Sequence, residues 1–272
     1  MAALDEAIAN GQTALTEHAA KRFLAGYGVP VPRETLAPHA DAAADAAARL
    51  GFPVVVKASG VSLQHKTEVG GIALNLRSAE EVRSEGRRLA ALPGCDGLLV
   101  AEMVPGDREL ACGLTRDPQF GPCVMVGLGG ILTEALSDAV FRVAPLTLSD
   151  AHEMLQEIRA VKLLGPFRGQ APARRAALAE ILVALGEIGL RHPEIREIDL
   201  NPVKIRPDGA PAAVDALIGL MPQRGGACTG NLRIAQGSRR WPTSRQAWHP
   251  SSSRGASRSS GPPPFRGRPG TN

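Results

Sequence analysis

The chain has 272 residues, of which 44% are hydrophobic and 21% charged, enough to bury one sizeable core or two modest ones. No apolar run approaches the ~20 residues a spanning helix needs, and the start MAALDEAIANGQ has neither a basic opening nor an apolar signal region. A cytoplasmic protein is expected rather than a membrane one. The net charge of +4 is unevenly spread: residues 222–272 hold nine Arg, no Lys and no acid, leaving 22 basic against 27 acidic residues over 1–221, a net of −5.

In chain order, the first pattern starts at Thr16, a suitable N-cap, after which Ala20, Phe23, Leu24 and Tyr27 recur at helical spacing until Gly28 stops the helix. DAAADAAARL forms a second helix ended by Gly51. PVVVKAS then reads as a strand buried on both faces, because Val54 and Val56 point opposite to Val55. The polar run VSLQHKTEVGG, residues 61–71, separates it from the strand GIALNL and a helix over 78–92. GLLVAEMV is a second strand buried on both faces, and VPGD at 104–107 suits a hinge. RELACGLT and PCVMVGLGG follow as strands, then a helix near 149–159 and a long helix with Leu178, Ile181, Leu182, Leu185 and Ile188 on one face. The alternation predicts an α/β or α+β fold with covered sheets. The Ser-, Gly-, Pro- and Arg-rich segment 222–272 has too few apolar residues to offset its ordering entropy and is expected to be a disordered tail. Its Arg with Trp241, Trp248 and Phe265 are residue types of a nucleic-acid site, but the composition favours a solvated tail and no nucleic-acid partner is expected.

The strongest chemical signal is REIDLNPVKIRPDGAPAAVDALIGL. Ile198 and Leu200 alternate with Glu197, Asp199 and Asn201, so one strand face is apolar and the other carries oxygen donors. The turn RPDG closes a hairpin centred on Asp208, which sets Asn201 opposite Asp215. Opposed side chains start roughly 4.5 to 5.5 Å apart at Cβ, close enough for an amide oxygen and a carboxylate to share a hard cation such as Mg²⁺. A bulge at Pro211 would shift this register and separate them, and an exposed polar strand face accounts for the pattern equally well. Lys57 ends a buried strand, where its charge must reach water or meet an anion, and Glu102 poses the same problem in the next buried run. GLGGI at 127–131 suits a turn or a close backbone approach to phosphate. There is no GxxxxGK[ST] loop, no GxGxxG and no GxSxG elbow. Cys95, Cys112, Cys123 and Cys228 lack CxxC spacing and read as free thiols.

Taken together, LTEHAAKRFLAGYGVPVPRE, GFPVVVKAS, HKTEVGG, AEMVPGDREL, TRDPQFGPCVMVGLGGI, FRVAPL and EIDLNPV with AVDALI occur in one order. The chain thereby resembles, over residues ~14 to 220, the ATP-grasp domain of the ADP-forming acetate:CoA ligases, relatives of succinyl-CoA synthetase. The resemblance implies a two-lobed ATP-grasp fold over 14–221, about 14–103 in the first lobe and 104–221 in the second. It implies ATP/ADP and Mg²⁺ as cofactors, with Lys57 on the phosphates, backbone groups around Glu102 and Val104 at adenine, and Glu109 on the ribose. Asn201 and Asp215 match the metal ligands, and Asp199 assists the metal or orients a histidine. His65 matches a loop histidine that relays a phosphoryl group between the acyl-CoA site and ADP. Neutral imidazole, with its ordinary pKa near 6.5, suits that role. The CoA-binding part of the family is missing here, so the resemblance implies a CoA-binding alpha subunit as partner, through which the acyl-CoA or organic acid is recognised. Two other readings stay open: a non-catalytic ATP-grasp regulatory module partnering a protein acetyltransferase, and a carboxylate:amine ligase that would not need His65.

Overall fold

Side chains close most of the helices. In the computed structural model, which describes residues 2–60, 63, 69–129 and 138–222, Thr16 accepts from the Ala19 N–H at 3.3 Å and starts a helix, as its position after an apolar Leu15 predicts. Helices α1 (Ala2–Ala9) and α2 (Glu17–Ala25) precede strand β1 (Glu34–Ala37), helix α3 (Ala40–Leu50) and strands β2 (Val54–Ser59) and β3 (Ile72–Leu76). Helix α4 (Ala79–Ala90), capped by Ser78, and strand β4 (Gly97–Glu102) complete the first half. Then come β5 (Arg108–Asp117), β6 (Gly121–Leu128), β7 (Ala139–Val143) and α5 (Leu148–Glu157), where Thr147 and Asp150 form a capping box. A 3₁₀ turn (Val161–Leu164), α6 (Arg175–Arg191), β8 (Ile195–Ile205), β9 (Pro211–Ala213) and β10 (Leu217–Leu220) follow.

The strands form two antiparallel sheets. The first has the order β1-β4-β2-β3 and the second β10-β8-β5-β6-β7, with β9 pairing beside β8. The first sheet is covered by α3, whose alanine-rich face brings Ala43, Ala44 and Ala47 onto Val54, Val56, Leu98 and Val100, and by α4, which buries Val82, Gly86 and Leu89. Small side chains permit this close approach: a Cβ on Gly86 of α4 would stand 3.1 Å from the Ala40 Cβ and 3.2 Å from Leu98. The second sheet is covered by α5 and α6, with Leu178, Ile181, Leu182, Leu185 and Ile188 all buried as their spacing predicts. This is the mixed α/β class that the alternation of elements implies.

The second core also takes in the beginning of the chain. Leu4 and Ala7 of α1, Leu15, and Ala20, Phe23 and Leu24 of α2 are buried there, and Ala14 bridges to Gly219. Residues 1–226 form one compact unit. The expected segment 61–71 is described only in part, and His65 lies outside the described residues. So do residues 223–272, which hold nearly all of the expected tail. Among the described residues no helix is long and apolar enough to cross a membrane.

Candidate functional site

Lys57 sits on β2, an inner strand of the first sheet, with Leu99 and Ile72 as its backbone partners. Its side chain is only 8% exposed, so its ammonium needs partners inside the protein. Nζ donates to Glu17 Oε1 at 2.6 Å and to the Val214 carbonyl oxygen at 2.9 Å, and lies 3.8 Å from Asp215 Oδ1. Glu17 opens α2, while Val214 and Asp215 join β9 to β10. One ammonium thus ties the first sheet to two segments that belong with the second.

Behind Glu17 runs a buried chain of alternating charges. Lys21 Nζ lies 2.6 Å from the same Glu17 oxygen and donates to Glu34 Oε2 at 2.8 Å, and His18 Nδ1 is 2.8 Å from Glu34 Oε1. Lys21 is wholly buried, which pulls its pKa down, but the carboxylates of Glu17 and Glu34 outweigh that and hold it above the ordinary lysine value. The sequence reading missed Glu17, which holds Lys57, and Lys21, which pairs with Glu17 and Glu34 away from Lys57. The signal was present: Glu17, Ala20, Lys21 and Leu24 share one helical face, and all four are buried.

The β8 hairpin has the expected register. Val203, Lys204 and Ile205 pair with Ala213, Ala212 and Pro211, Val214 donates to the Pro202 carbonyl, and the same register resumes at Asp199 and Leu217. Pro211 introduces no shift. Asn201 and Asp215 therefore occupy corresponding positions between two ladders of one register, at the cis Asn201–Pro202 peptide. Ile198 and Leu200 are buried while Asp199 and Asn201 stay partly accessible, so the polar face is the open one. Asp215 is 39% exposed, and its Oδ1 accepts the Ala216 N–H at 2.9 Å.

Among the described residues no group of three His, Cys, Asp or Glu side chains is arranged to hold a metal. An amide oxygen with carboxylates, open to water, still fits Mg²⁺, which keeps several waters and takes phosphate oxygens rather than filling an all-protein cage. Asn201 and Asp215, with Asp199 beside them, are the residues that would hold it. Cys112, next to Asp199's strand partner Gly113, is a soft sulfur unsuited to Mg²⁺, and burial first, then the Asp199 charge, pushes its thiol up to about 12.

The remaining expected residues lie on the neighbouring strands β4 and β5 and on the segment between them. Glu102 closes β4 with one oxygen 2.9 Å from Arg33 Nε and the other 2.7 Å from an Arg206 terminal nitrogen. Partial burial pushes this carboxyl up, but hydrogen bonds from Arg206 and Arg33 prevail and leave its pKa below the ordinary value. Val104 is buried, and Glu109 on β5 faces Lys204 on β8 with 3.6 Å between their charges. Arg206, also missed, sits in the RPDG turn; the sequence marks that segment as a turn but not as the cation beside Glu102. Gly129 lies against the backbone of Glu109, whose carbonyl accepts the Gly129 N–H at 3.0 Å, and a Cβ there would stand 2.6 Å from Leu110 backbone atoms. The expected site residues thus fall into two groups, one of Lys57, Asp215, Asn201 and Asp199, the other of Glu102, Val104 and Glu109.

Comparison with known proteins gives concordant matches. The family model described as an ATP-grasp domain matches residues 6–220. The beta subunit of ADP-forming acetate–CoA ligase I from Pyrococcus furiosus is 43% identical over 209 residues, covering 74% of this chain and 90% of that one. The acetyl-coenzyme A synthetase 1 of Ca. Korarchaeum cryptofilum, solved with coenzyme A, Ca-AMPCP and HgCl+, superposes with a TM-score of 0.76 at 44% identity, covering 80% of this chain and 98% of that chain. A second structure of that protein contains coenzyme A and Mg-AMPPCP, with a phosphohistidine segment pointing towards the nucleotide binding site. It has a TM-score of 0.72 at 44% identity and covers 81% of this chain and 99% of that one.

Proposed function

The chain belongs to the ATP-grasp family, among the beta subunits of the ADP-forming acetate–CoA ligases, and from that premise we propose that it is the nucleotide-binding subunit of an ADP-forming acyl-CoA synthetase. The reaction is acyl-CoA + ADP + phosphate ⇌ acid + CoA + ATP. The observation that carries this reading is the meeting of Lys57 with Asp215, 3.8 Å apart, which brings a buried ammonium to the carboxylate suited to a phosphate-bound cation.

Mg²⁺, when bound, supplies neutralisation of phosphate charge. This chain's own residues do the rest. Lys57 offers a fixed positive charge to the phosphates, and Asn201 and Asp215 orient oxygen donors across the hairpin. The group of Glu102, Val104 and Glu109 lies where it suits the adenosine end, with the Glu102 carboxylate held ionised by two guanidiniums. His65 is the phosphoryl carrier of the proposal. An imidazole nitrogen attacks the phosphorus of the phosphoryl group carried by the partner subunit, forming a P–N bond as the bond from phosphorus to the partner's donor atom breaks and its electron pair stays on that donor. An oxygen of the ADP terminal phosphate then forms the new P–O bond as the P–N bond breaks and its electron pair returns to the ring. The support for His65 is its place in HKTEVGG and the phosphohistidine segment named for a relative at 44% identity. A CoA-binding alpha subunit completes the enzyme and recognises the acyl group.

Calorimetry of the full chain with Mg-ADP tests the nucleotide site. Wild type is expected to bind, and Lys57→Met and Asp215→Ala to weaken binding by about tenfold or more, since each removes a charge-assisted contact. Failure of wild type to bind, or wild-type affinity in both variants, contradicts the proposal.

A further inference from the structure

We propose that Glu17 is a positioning residue for Lys57: together with the Val214 carbonyl it fixes the ammonium so that its remaining donor serves the nucleotide phosphates. The inference rests on the phosphate-binding role proposed for Lys57. An ammonium has three N–H donors and a flexible four-carbon stem, so without anchors it samples many directions. Here two donors are engaged at short range, at 2.6 Å by Glu17 Oε1 and at 2.9 Å by the Val214 oxygen. Among the described residues the third group near Nζ is Asp215 at 3.8 Å, which is 39% exposed, whereas the Glu17 side chain is 3% exposed. The side of the ammonium facing Asp215 is therefore the one that opens to water, and an anion approaches from there.

Glu17 also settles the charge of Lys57 inside the protein. A buried ammonium without a carboxylate would draw on Asp215 for neutralisation. Among the described residues, with Glu17 in place, Lys57 and Lys21 face Glu17 and Glu34, two cations against two anions, and Asp215 is the more exposed carboxylate beside Lys57. The Glu17–Lys21 pair alone does not account for this arrangement. Lys21 already has Glu34 at 2.8 Å, yet Glu17 directs the same oxygen to Lys57. The location matters too. Glu17 is the first residue of α2, where Thr16 holds the helix end and the core residues Ala20, Phe23 and Leu24 fix its direction, so its carboxylate is placed by a rigid element.

The test compares Mg-ADP affinity, adenosine affinity and the thermal midpoint of the full chain in Glu17→Gln, Glu17→Asp, Lys21→Met and Lys57→Met. Glu17→Gln is expected to weaken Mg-ADP binding by about tenfold while adenosine, which has no phosphate, binds as to wild type. Glu17→Asp keeps the charge but shortens its reach by one methylene; it folds and weakens Mg-ADP by about threefold. Lys21→Met lowers the thermal midpoint with Mg-ADP affinity retained. If Glu17→Gln does not fold, Glu17→Asp decides. Mg-ADP affinity at the wild-type level in the folded Glu17 variant, or equal losses for Mg-ADP and adenosine, overturns the positioning role while Lys57→Met still loses binding. If Lys57→Met itself binds Mg-ADP like wild type, the reading of Lys57 falls and this inference falls with it.

Discussion

At the scale of single residues, the charged groups divide by burial. Lys57, Lys21 and Glu17 are buried, Lys57 with only a small exposed fraction, so each depends on its partners. Glu102 is a milder case, its side chain 18% exposed, and its two arginines are unequal: Arg33 is 67% exposed and Arg206 29%. Solvent screening leaves the Arg33 pair contributing little, and the Arg206 pair dominates, by about 1 kcal/mol or less. Because the Glu102 pKa is depressed on folding, its contribution is complete above the ordinary glutamate range near 4.3 and is lost as pH falls through the lower folded value. Urea titrations of wild type and Glu102→Gln should therefore differ at pH 7 and converge as pH falls through the lowered folded value. Cys112 gives a second residue-scale prediction. With its thiol raised to about 12 by burial, it should resist maleimide at pH 8 in the native protein and react only after unfolding.

At the scale of elements, periodicity and turn chemistry carried most of the information. The face 20, 23, 24 of α2, its Thr16 cap, the doubly buried β2 and β4, and the hairpin about Asp208 were all legible, because each depends on local spacing. β1 and β7 were not legible. Each is four or five residues long and forms the edge of its sheet, with one fully buried residue in β1 and none in β7, so neither imposes a pattern on its sequence. The site followed the same division. Lys57, Asn201 and Asp215 stood out as charges or donors on otherwise apolar strands, but Glu17 and Arg206 act across the two sheets, and sequence spacing does not encode that proximity. An element-scale test addresses the α3–α4 contact, where a Cβ on Gly86 would press on Ala40 and Leu98. Gly86→Val should cost about 1–3 kcal/mol by denaturant unfolding through overpacking. Wild-type stability would show that the two helices are not held at this distance.

At the scale of the whole molecule, the chain begins and ends its described course on the same sheet. α1 and α2 lie in the core beneath β10, β8 and β5, the chain then builds the first sheet, and it returns through β5 to finish at β10. This closure places Glu17 and Asp215, nearly two hundred residues apart, on either side of Lys57. It also predicts that residues ahead of position 14 matter: Leu4 is 1% exposed in the second core. Leu4→Ala should lower unfolding stability by about 2–4 kcal/mol, a cavity cost that a loosely attached leader would not show.

Phosphoryl relay through His65 is tested by incubating the chain with Mg²⁺ and γ-phosphate-labelled ATP. Wild type should carry acid-labile label and His65→Ala none, with Mg-ADP affinity unchanged in that variant. Label persisting on His65→Ala, or no label on a wild type that binds Mg-ATP, would contradict it.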